Sequence, residues 1–332
     1  MRIAHPVGRM KRDRKCSYVV LLERAAGSAG ELRELARYLT TLDLAGCEVV
    51  VLDPSPLVLF DANRRTLRWV SRHLQVPSVP ADLARCASAV AACEKVIVAT
   101  EDVRYTPEAV ARLCDLLEMH EVVEPQDYLD PLPWWSGIDA GRILIHRGIE
   151  PQPDHGATFG FRRGASMWVP LPSAAPATAE GSGRHIAPRA LAFPAADVFV
   201  QRRPRAFREW LAQRPRLAGE DFDLPVKTAF FLSTLPLLLL LAVAGGLQLA
   251  SGYAGAIAFA SLALAVRGRA GASSFFPLRA CFFAPLWVFE RSVSVYWALL
   301  LKLTAQQSTR SVPESSLSAR TTSPYSQHNR AQ

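Results

Sequence analysis

Short apolar runs separated by polar breaks organise the first 120 residues. "SYVVLL" (17–22) is a β-branched run with the length of a buried strand. "GELRELARYLTTL" follows and spaces Leu32, Leu35, Ala36 and Leu39 along one helical face. "CEVVVLDPSP" (47–56) reads as a second strand, closed by Asp53-Pro54. Helices around 61–73 and 81–93 lead to a third strand, "KVIVAT" (95–100). "TPEAVARLCDLLEMH" (106–120) opens with Thr as N-cap and Pro at the first helical position, and turns Val110, Leu113 and Leu117 inward. Strand, helix, strand, helix, strand predicts an α/β fold with a parallel sheet. In such sheets ligands bind beyond the carboxyl ends of the strands. Asp53 and the pair Glu101-Asp102 stand at two such ends, so their side chains are expected to meet over one cleft. Strand ends also carry Asp simply because it forms turns, and that reading stands beside the first.

Further on the pattern changes twice. Residues 170–196 are rich in Pro, Ala, Ser and Gly and read as an irregular insert, centred on 170–190. From Ala229, "AFFLSTLPLLLLLAVAGGLQLA" runs to residue 250 without a charge, long enough to cross a bilayer core. A Ser-Gly break separates it from a shorter run, 253–266, which lengthens from Leu247 if the turn is displaced. The five leucines at 237–241 argue against the alternative of a buried core helix. "RGRAG" (267–271) and the arginines before Ala229 fall on one side of a two-span hairpin, the cytoplasmic side by the positive-inside rule. Segment 275–303 is apolar and aromatic but carries Arg279, Glu290 and Arg291, which suits an interfacial or kinked element, with a third span as the alternative. The expected organisation is a basic segment (1–16), a folded domain (17–228), a membrane region (229–303) and a disordered Ser/Thr/Gln-rich tail (304–332).

Charge adds a direction. The chain has 332 residues and a formal net charge of +8, which favours anionic partners. Arg202, Arg203, Arg205, Arg208, Arg214 and Arg216 crowd one stretch before the apolar run and read as a membrane flank meeting anionic lipid. No aromatic residues interleave with them in a recognised nucleic-acid module, and a membrane segment lies next door, so nucleic acid is not an expected partner. The six cysteines form no Cys-x-x-Cys pair and no zinc set, and read as reduced thiols, with Cys47 and Cys114 in the core. The basic start lacks an apolar core and does not read as a secretory signal, which puts the folded domain in the cytoplasm.

The most suggestive chemistry lies in "VIVATEDVRYTP" (96–107). Two carboxylates after a buried strand can hold a divalent cation, which would neutralise a nucleotide diphosphate and help it leave. Asp102 is the better ligand, since Glu101 points to the opposite side of an extended chain. Arg104 would anchor an anion or pair with an acid. A solvated turn leading into a helix explains the same residues.

Here the chain resembles a family. "VVLLERAAGSAGELRELARYL", "VVVLDPSP", "VIVATEDVRYTP", "EPQDYLDPLPWW" and "HGATFGFRR" follow in the order found in bacterial family-2 glycosyltransferases of GT-A fold. "FVQRRPRAFREWLAQRPRL" and "EDFDLP" resemble what precedes the membrane helices in the membrane-bound branch. The likeness covers residues 17 to 300, with a break at 170–190. It implies a Rossmann-like mixed sheet with helices on both faces, followed by transmembrane helices.

It also implies site residues. Glu23 falls in the loop after the first strand that touches the nucleotide, and Asp53 matches the Asp that contacts the base. The Asp-x-Asp motif falls on Thr100 and Asp102, so the usual metal ligand is kept as Asp102 while Thr100 replaces the first Asp. Trp134 and Trp135 lie on the acceptor side, with flat faces suited to sugar or lipid, or to packing. Thr158 and Gly160 fall on the strand of the acceptor loop. The Gln-x-x-Arg-Trp motif is kept as Gln213 and Arg216, with Leu217 in place of Trp; Arg216 would bind the diphosphate as a planar fork, or flank the membrane. The acidic pair that supplies the general base is missing: Glu180 is the only carboxylate between 155 and 196, and Asp154 is the other candidate.

These residues lead to the expectation of an inverting hexosyltransferase at the cytoplasmic membrane. It would pass a sugar from a nucleotide-sugar donor to a lipid-linked or polysaccharide acceptor, with Mg or Mn held through Asp102. The competing expectation is a catalytically silent membrane scaffold or binding protein of the same fold, motivated by Thr100 and the missing acidic pair.

Overall fold

The computed structural model describes residues 14–22, 29–78, 83–149, 158–164, 192–220, 222 and 225–310. The chain divides into two compact units, Met1–Phe207 with Ala254–Trp287 and Arg208–Tyr253 with Val288–Gln332.

The first unit is built on strands β1 (Cys16–Leu21), β2 (Cys47–Asp53), β3 (Arg72–Gln75), β4 (Lys95–Thr100), β5 (Val103–Arg104), β6 (Val122–Leu129), β7 (Thr158–Arg162) and β8 (Ala192–Arg202). They form one sheet in the order β3-β2-β1-β4-β7-β6-β8-β5. β1 pairs in parallel with both β2 and β4, and β2 with β3. β7 runs antiparallel to β4 and β6, β6 is parallel to β8, and β5 closes the edge antiparallel to β8. The sheet is therefore mixed, as the resemblance implied. Every residue of β1 and β2 is buried, as expected for strands covered on both faces. One face packs on α1 (Ala29–Leu44) and α4 (Pro107–Met119) through Leu35, Leu39, Leu113 and Leu117, and the other on α3 (Leu83–Val90) through Ala84 and Ala87.

Local signals set most element boundaries. Thr106 caps α4 by accepting from the Ala109 amide at 3.2 Å, and Pro107 fills the first position, whose N–H has no helical partner. The helix expected at 61–73 lies earlier, as α2 (Leu57–Thr66), and its last residues turn into β3. Leu67 and Val70 are buried in the turn between the two elements, which imitates a helical period. All six cysteines are free thiols, and Cys47 and Cys114 are core residues as read.

Helix α5 (Trp134–Ile149) packs backbone to backbone against later segments of the same unit. A Cβ on Gly141 would lie 2.6 Å from the Ala284 nitrogen, and one on Gly148 2.2 Å from the Leu264 carbonyl oxygen. Small residues at such spacing let helices touch.

In the second unit, α6 (Phe207–Glu220) carries a buried Arg214, stacked 4.3 Å over Trp210 and 3.9 Å from Glu290. The longest apolar element is α7 (Pro225–Arg269), which crosses between the units and is the one helix, among the described residues, long and apolar enough to cross a membrane. Its break falls at Gly246 (φ 74, ψ 179) rather than at Ser251-Gly252, because glycine adopts positive φ at no steric cost. Segment 275–303 is divided into a short α8 (Leu278–Cys281) and α9 (Ala284–Arg310). The tail expected to be disordered from residue 304 is helical as far as Arg310; residues 311–332, like the insert at 170–190, lie outside the described residues.

Candidate functional site

In this sheet the strand order reverses between β1 and β4: β2 and β3 lie to one side of β1, and β4 to the other. The carboxyl ends of two strands that diverge in this way leave a crevice for ligands. Leu21 is in register with Leu52 on one side and Thr100 on the other, so Asp53 and Glu101-Asp102 stand at one level, flanking the end of β1. Topology places the acids as expected. Their side chains then do different things.

Asp53 is fully buried, and its carboxylate is satisfied internally. Oδ1 accepts from the Ser55 amide at 2.9 Å, and Oδ2 from Asn63 Nδ2 at 3.0 Å, with His73 Nε2 at 3.1 Å. Burial alone would raise this carboxyl, but the bonds from His73, Ser55 and Asn63 hold it down at about 2. This arrangement ties the end of β2 to α2 and β3 and turns no Asp53 oxygen outward, so the expected contact with a base has no oxygen to make it. Asp53→Ala is expected to cost about 3 kcal/mol of stability by leaving the donors of Asn63 and His73 buried without an acceptor. Chemical denaturation of purified protein measures this. A stable variant that has only lost nucleotide affinity would restore the base-contact role.

Asp102 is 6% exposed. Its Oδ1 accepts from the Thr100 hydroxyl, and its Oδ2 from Arg202 Nε at 2.9 Å. Arg202 stands at the end of β8, with its Nη1 3.7 Å from Asp127 Oδ2 on β6. Burial pushes the Asp102 carboxyl up; the Arg202 charge, the bonds from Thr100 and Arg202, and the Arg205 charge override it and hold it at about 2. Burial likewise pulls Arg202 down, but the charges of Asp102 and Asp127 outweigh it and raise the guanidinium above its ordinary value.

Beside this cluster lies an aromatic shelf. Trp134 is 58% exposed and meets Trp135 edge-on at 5.9 Å and Phe207 at 5.4 Å. Trp135 Nε1 donates to the Arg205 carbonyl oxygen at 3.1 Å, which connects the shelf to the strand end that carries Arg202. The two tryptophans are therefore placed where a flat ligand can reach them.

The other expected residues are used differently. The Thr158 hydroxyl donates to the Val98 carbonyl at 2.6 Å and meets the Tyr105 hydroxyl at 2.7 Å, and the residue is buried. Gly160 faces α4, where a Cβ would lie 2.9 Å from Leu113 Cδ2, so it serves sheet–helix packing. Among the described residues Arg104 pairs with no acid. It donates to the Glu101 and Val103 carbonyls, stacks 4.8 Å over Tyr38 and lines a separate hollow of about 720 Å³ with Tyr38, Arg112 and Phe199. Gln213 and Arg216 lie one turn apart on α6, in the second unit. Glu23, Asp154 and Glu180 fall outside the described residues.

The arginine-rich stretch is not a uniform membrane flank. Arg202 joins the acidic cluster, Arg203 forks onto Glu34 with one bond of 2.6 Å, and Arg214 is buried against Trp210. These three are held by the protein rather than presented to lipid. A run of arginines looks the same in sequence whether its partners are lipid phosphates or carboxylates a hundred residues away. Asp127 and Arg202 were missed for that reason. The signal available was Asp127 near the end of an apolar run, in "VVEPQDYL".

Mg and Mn require several hard oxygens. Both Asp102 oxygens are engaged, Thr100 adds no charge, and among the described residues no three His, Cys, Asp or Glu side chains are grouped to hold an ion. The residues as arranged do not fit a metal bound through Asp102.

No family model matches the chain, and no curated protein matches it. Solved structures overlap it in part. The mannosyltransferase PcManGT from Pyrobaculum calidifontis, in complex with GDP-Man and Mn2+, is 17% identical over 86% of this chain and 88% of that chain, with a TM-score of 0.46. S. aureus TarS 1–349, in complex with UDP-GlcNAc, is 14% identical over 85% and 90%, with a TM-score of 0.35. A mycobacterial protein is 14% identical over 62% and 73%, with a TM-score of 0.36. Likenesses at these identities and TM-scores establish neither a shared fold nor shared chemistry.

Proposed function

We propose that this chain is a membrane-associated glycosyltransferase of GT-A type that moves a hexosyl group from a nucleotide-sugar donor to a lipid-linked or membrane-proximal acceptor. The observation that carries the reading is the placement of Asp102, at the β1/β4 switch point, with two arginines acting on it and an aromatic shelf alongside. A nucleotide diphosphate is an anion that guanidinium groups answer, and the exposed indole of Trp134 offers a flat face to the acceptor.

Membrane association rests on α7. Its break at Gly246 leaves two apolar parts, each near the ~20 residues that cross a hydrocarbon core. A hairpin with both ends cytoplasmic brings a lipid-borne acceptor to the level of the folded domain. Inversion at the sugar carbon needs a carboxylate to take the acceptor proton, and Glu180 and Asp154 are the candidates.

A second reading, a silent binding protein of the same fold, is favoured by Thr100 in place of an acid and by the engagement of both Asp102 oxygens. One experiment separates the two: calorimetric titration of the purified full chain in detergent with UDP- and GDP-sugars, together with donor turnover. Binding with turnover supports the enzyme, binding without turnover the silent protein, and neither would sink both. For the enzyme, Trp134→Ala is expected to raise the acceptor KM about tenfold while leaving donor affinity unchanged, since an exposed indole offers stacking and little structural support. Steady-state kinetics with varied acceptor reads this directly.

A further inference from the structure

Arg202 raises a question the resemblance does not answer. Asp102 and Asp127 belong to different parts of the sheet, one after β4 and one on β6, and the residue that joins them comes from β8. Two of its guanidinium nitrogens face the two carboxylates, at 2.9 and 3.7 Å. Asp139 on α5 adds its charge to theirs at longer range. Hard oxygens from several elements around one positive charge is what a divalent site requires. Here the charge is covalently part of the chain.

We propose that Arg202 is the resident cation of this site: it occupies the place between Asp102 and Asp127 that a divalent metal would take, so the chain engages a diphosphate-bearing ligand without Mg or Mn. The second half of that statement rests on the glycosyltransferase reading; the first does not. A guanidinium and a divalent ion compete for these oxygens, because both draw on the same carboxylate charge and they repel each other. Of the five N–H donors in the planar fork of Arg202, the one on Nε is taken by Asp102, and the Nη groups keep donors of a shape matched to phosphate oxygens. Arg205, whose charge also reaches Asp102, adds a second positive group at the same end of the sheet. Thr100 fits the same scheme. Its hydroxyl donates to Asp102, which orients the carboxylate toward Arg202, whereas a second Asp would have repelled it.

The test uses the full chain in detergent and Mn2+ as the probe, with free Mn2+ read by electron paramagnetic resonance. Wild type is expected to show no stoichiometric Mn2+ site at Asp102. Arg202→Ala and Arg202→Met are expected to bind Mn2+ about tenfold or more tightly than wild type, because two buried carboxylates then lack a counterion. Adding Asp102→Asn to either should abolish that gain. Arg202→Met keeps the bulk of the stem in case Arg202→Ala does not fold. A folded variant without the gain, or Mn2+ binding by wild type that Asp102→Asn removes, overturns the proposal; the wild-type arm decides even if neither variant folds. In parallel, UDP and GDP are titrated into wild type with EDTA and then with Mn2+. Equal affinity in both supports metal-free engagement, and affinity only with Mn2+ overturns it. Absence of nucleotide binding in both conditions defeats the glycosyltransferase reading and leaves the Mn2+ titration to decide the role of Arg202.

Discussion

Asp102→Asn is expected to lower donor turnover about a hundredfold and to destabilise the fold by about 2 kcal/mol at neutral pH. Asparagine keeps the shape and can still accept from Thr100, but it removes the charge that holds Arg202. The guanidinium is then left with Asp127 at 3.7 Å as its nearest carboxylate and is no longer fixed at the strand end. Loss of position alone is enough for a large kinetic effect, since a displacement of about 1 Å costs orders of magnitude in an aligned site. The pH dependence follows from the depressed carboxyl. Folded Asp102 titrates at about 2, below its ordinary 3.8, so its stabilisation is fully present above pH 3.8 and is lost as pH falls through 2. The difference in thermal midpoint between wild type and variant should therefore be constant from neutral pH down to the unfolded value and close between 3.8 and 2. A gap that persists at the acid end would mean that the charge of Asp102 is not what the variant has lost. Turnover equal to wild type would remove Asp102 from the site altogether.

The parts of the fold that were legible in the chain are those set by neighbours in sequence. β1, β2 and β4 are apolar runs closed by polar breaks, and α4 announces its start with Thr106-Pro107. The level of Asp53 and Asp102 followed from topology, because parallel strands of similar length end together. What each acid does there depended on residues far away. Asp53 is saturated by Asn63 and His73 from the next two elements, and Asp102 by an arginine a hundred positions on. No local pattern distinguishes a carboxylate waiting for a ligand from one already paired. Gly160 was misread for a related reason: a glycine beside a site and a glycine under a leucine look alike until the helix above it is placed. β3, four residues at the sheet edge, is too short for its alternation to stand out against the helical spacing of Leu67 and Val70.

Gly268→Val is expected to be among the most damaging substitutions, although Gly268 lies far in sequence from any catalytic candidate. A Cβ there would stand 1.9 Å from the Leu144 carbonyl oxygen and 2.8 Å from the Gly148 nitrogen. Both obstacles are backbone, so neither can swing aside, and the end of α7 must move away from α5. Arg147 reinforces the contact: its Nε donates to the Gly268 carbonyl at 3.1 Å and its Nη1 to Gln126 Oε1 at 2.7 Å, one residue before Asp127 on β6. Separation of the helices thus loses a close backbone contact and a half-buried arginine bridge together, with an expected cost of about 3 kcal/mol or more. Gly252→Ala is the control. It lies in the same helix with nothing within 4 Å, and alanine there should be neutral or stabilising by up to about 1 kcal/mol, because it lowers the entropy of the unfolded chain. Thermal unfolding of both variants in detergent, with nucleotide affinity measured on whatever remains folded, reads the two effects. Loss of stability in Gly268→Val with affinity retained would confine the contact to anchoring the apolar helix. Loss of affinity in the folded fraction would extend its influence along Arg147 and Gln126 to the acids beside Arg202. Equal stability of the two variants would mean that α5 and the end of α7 do not meet as described.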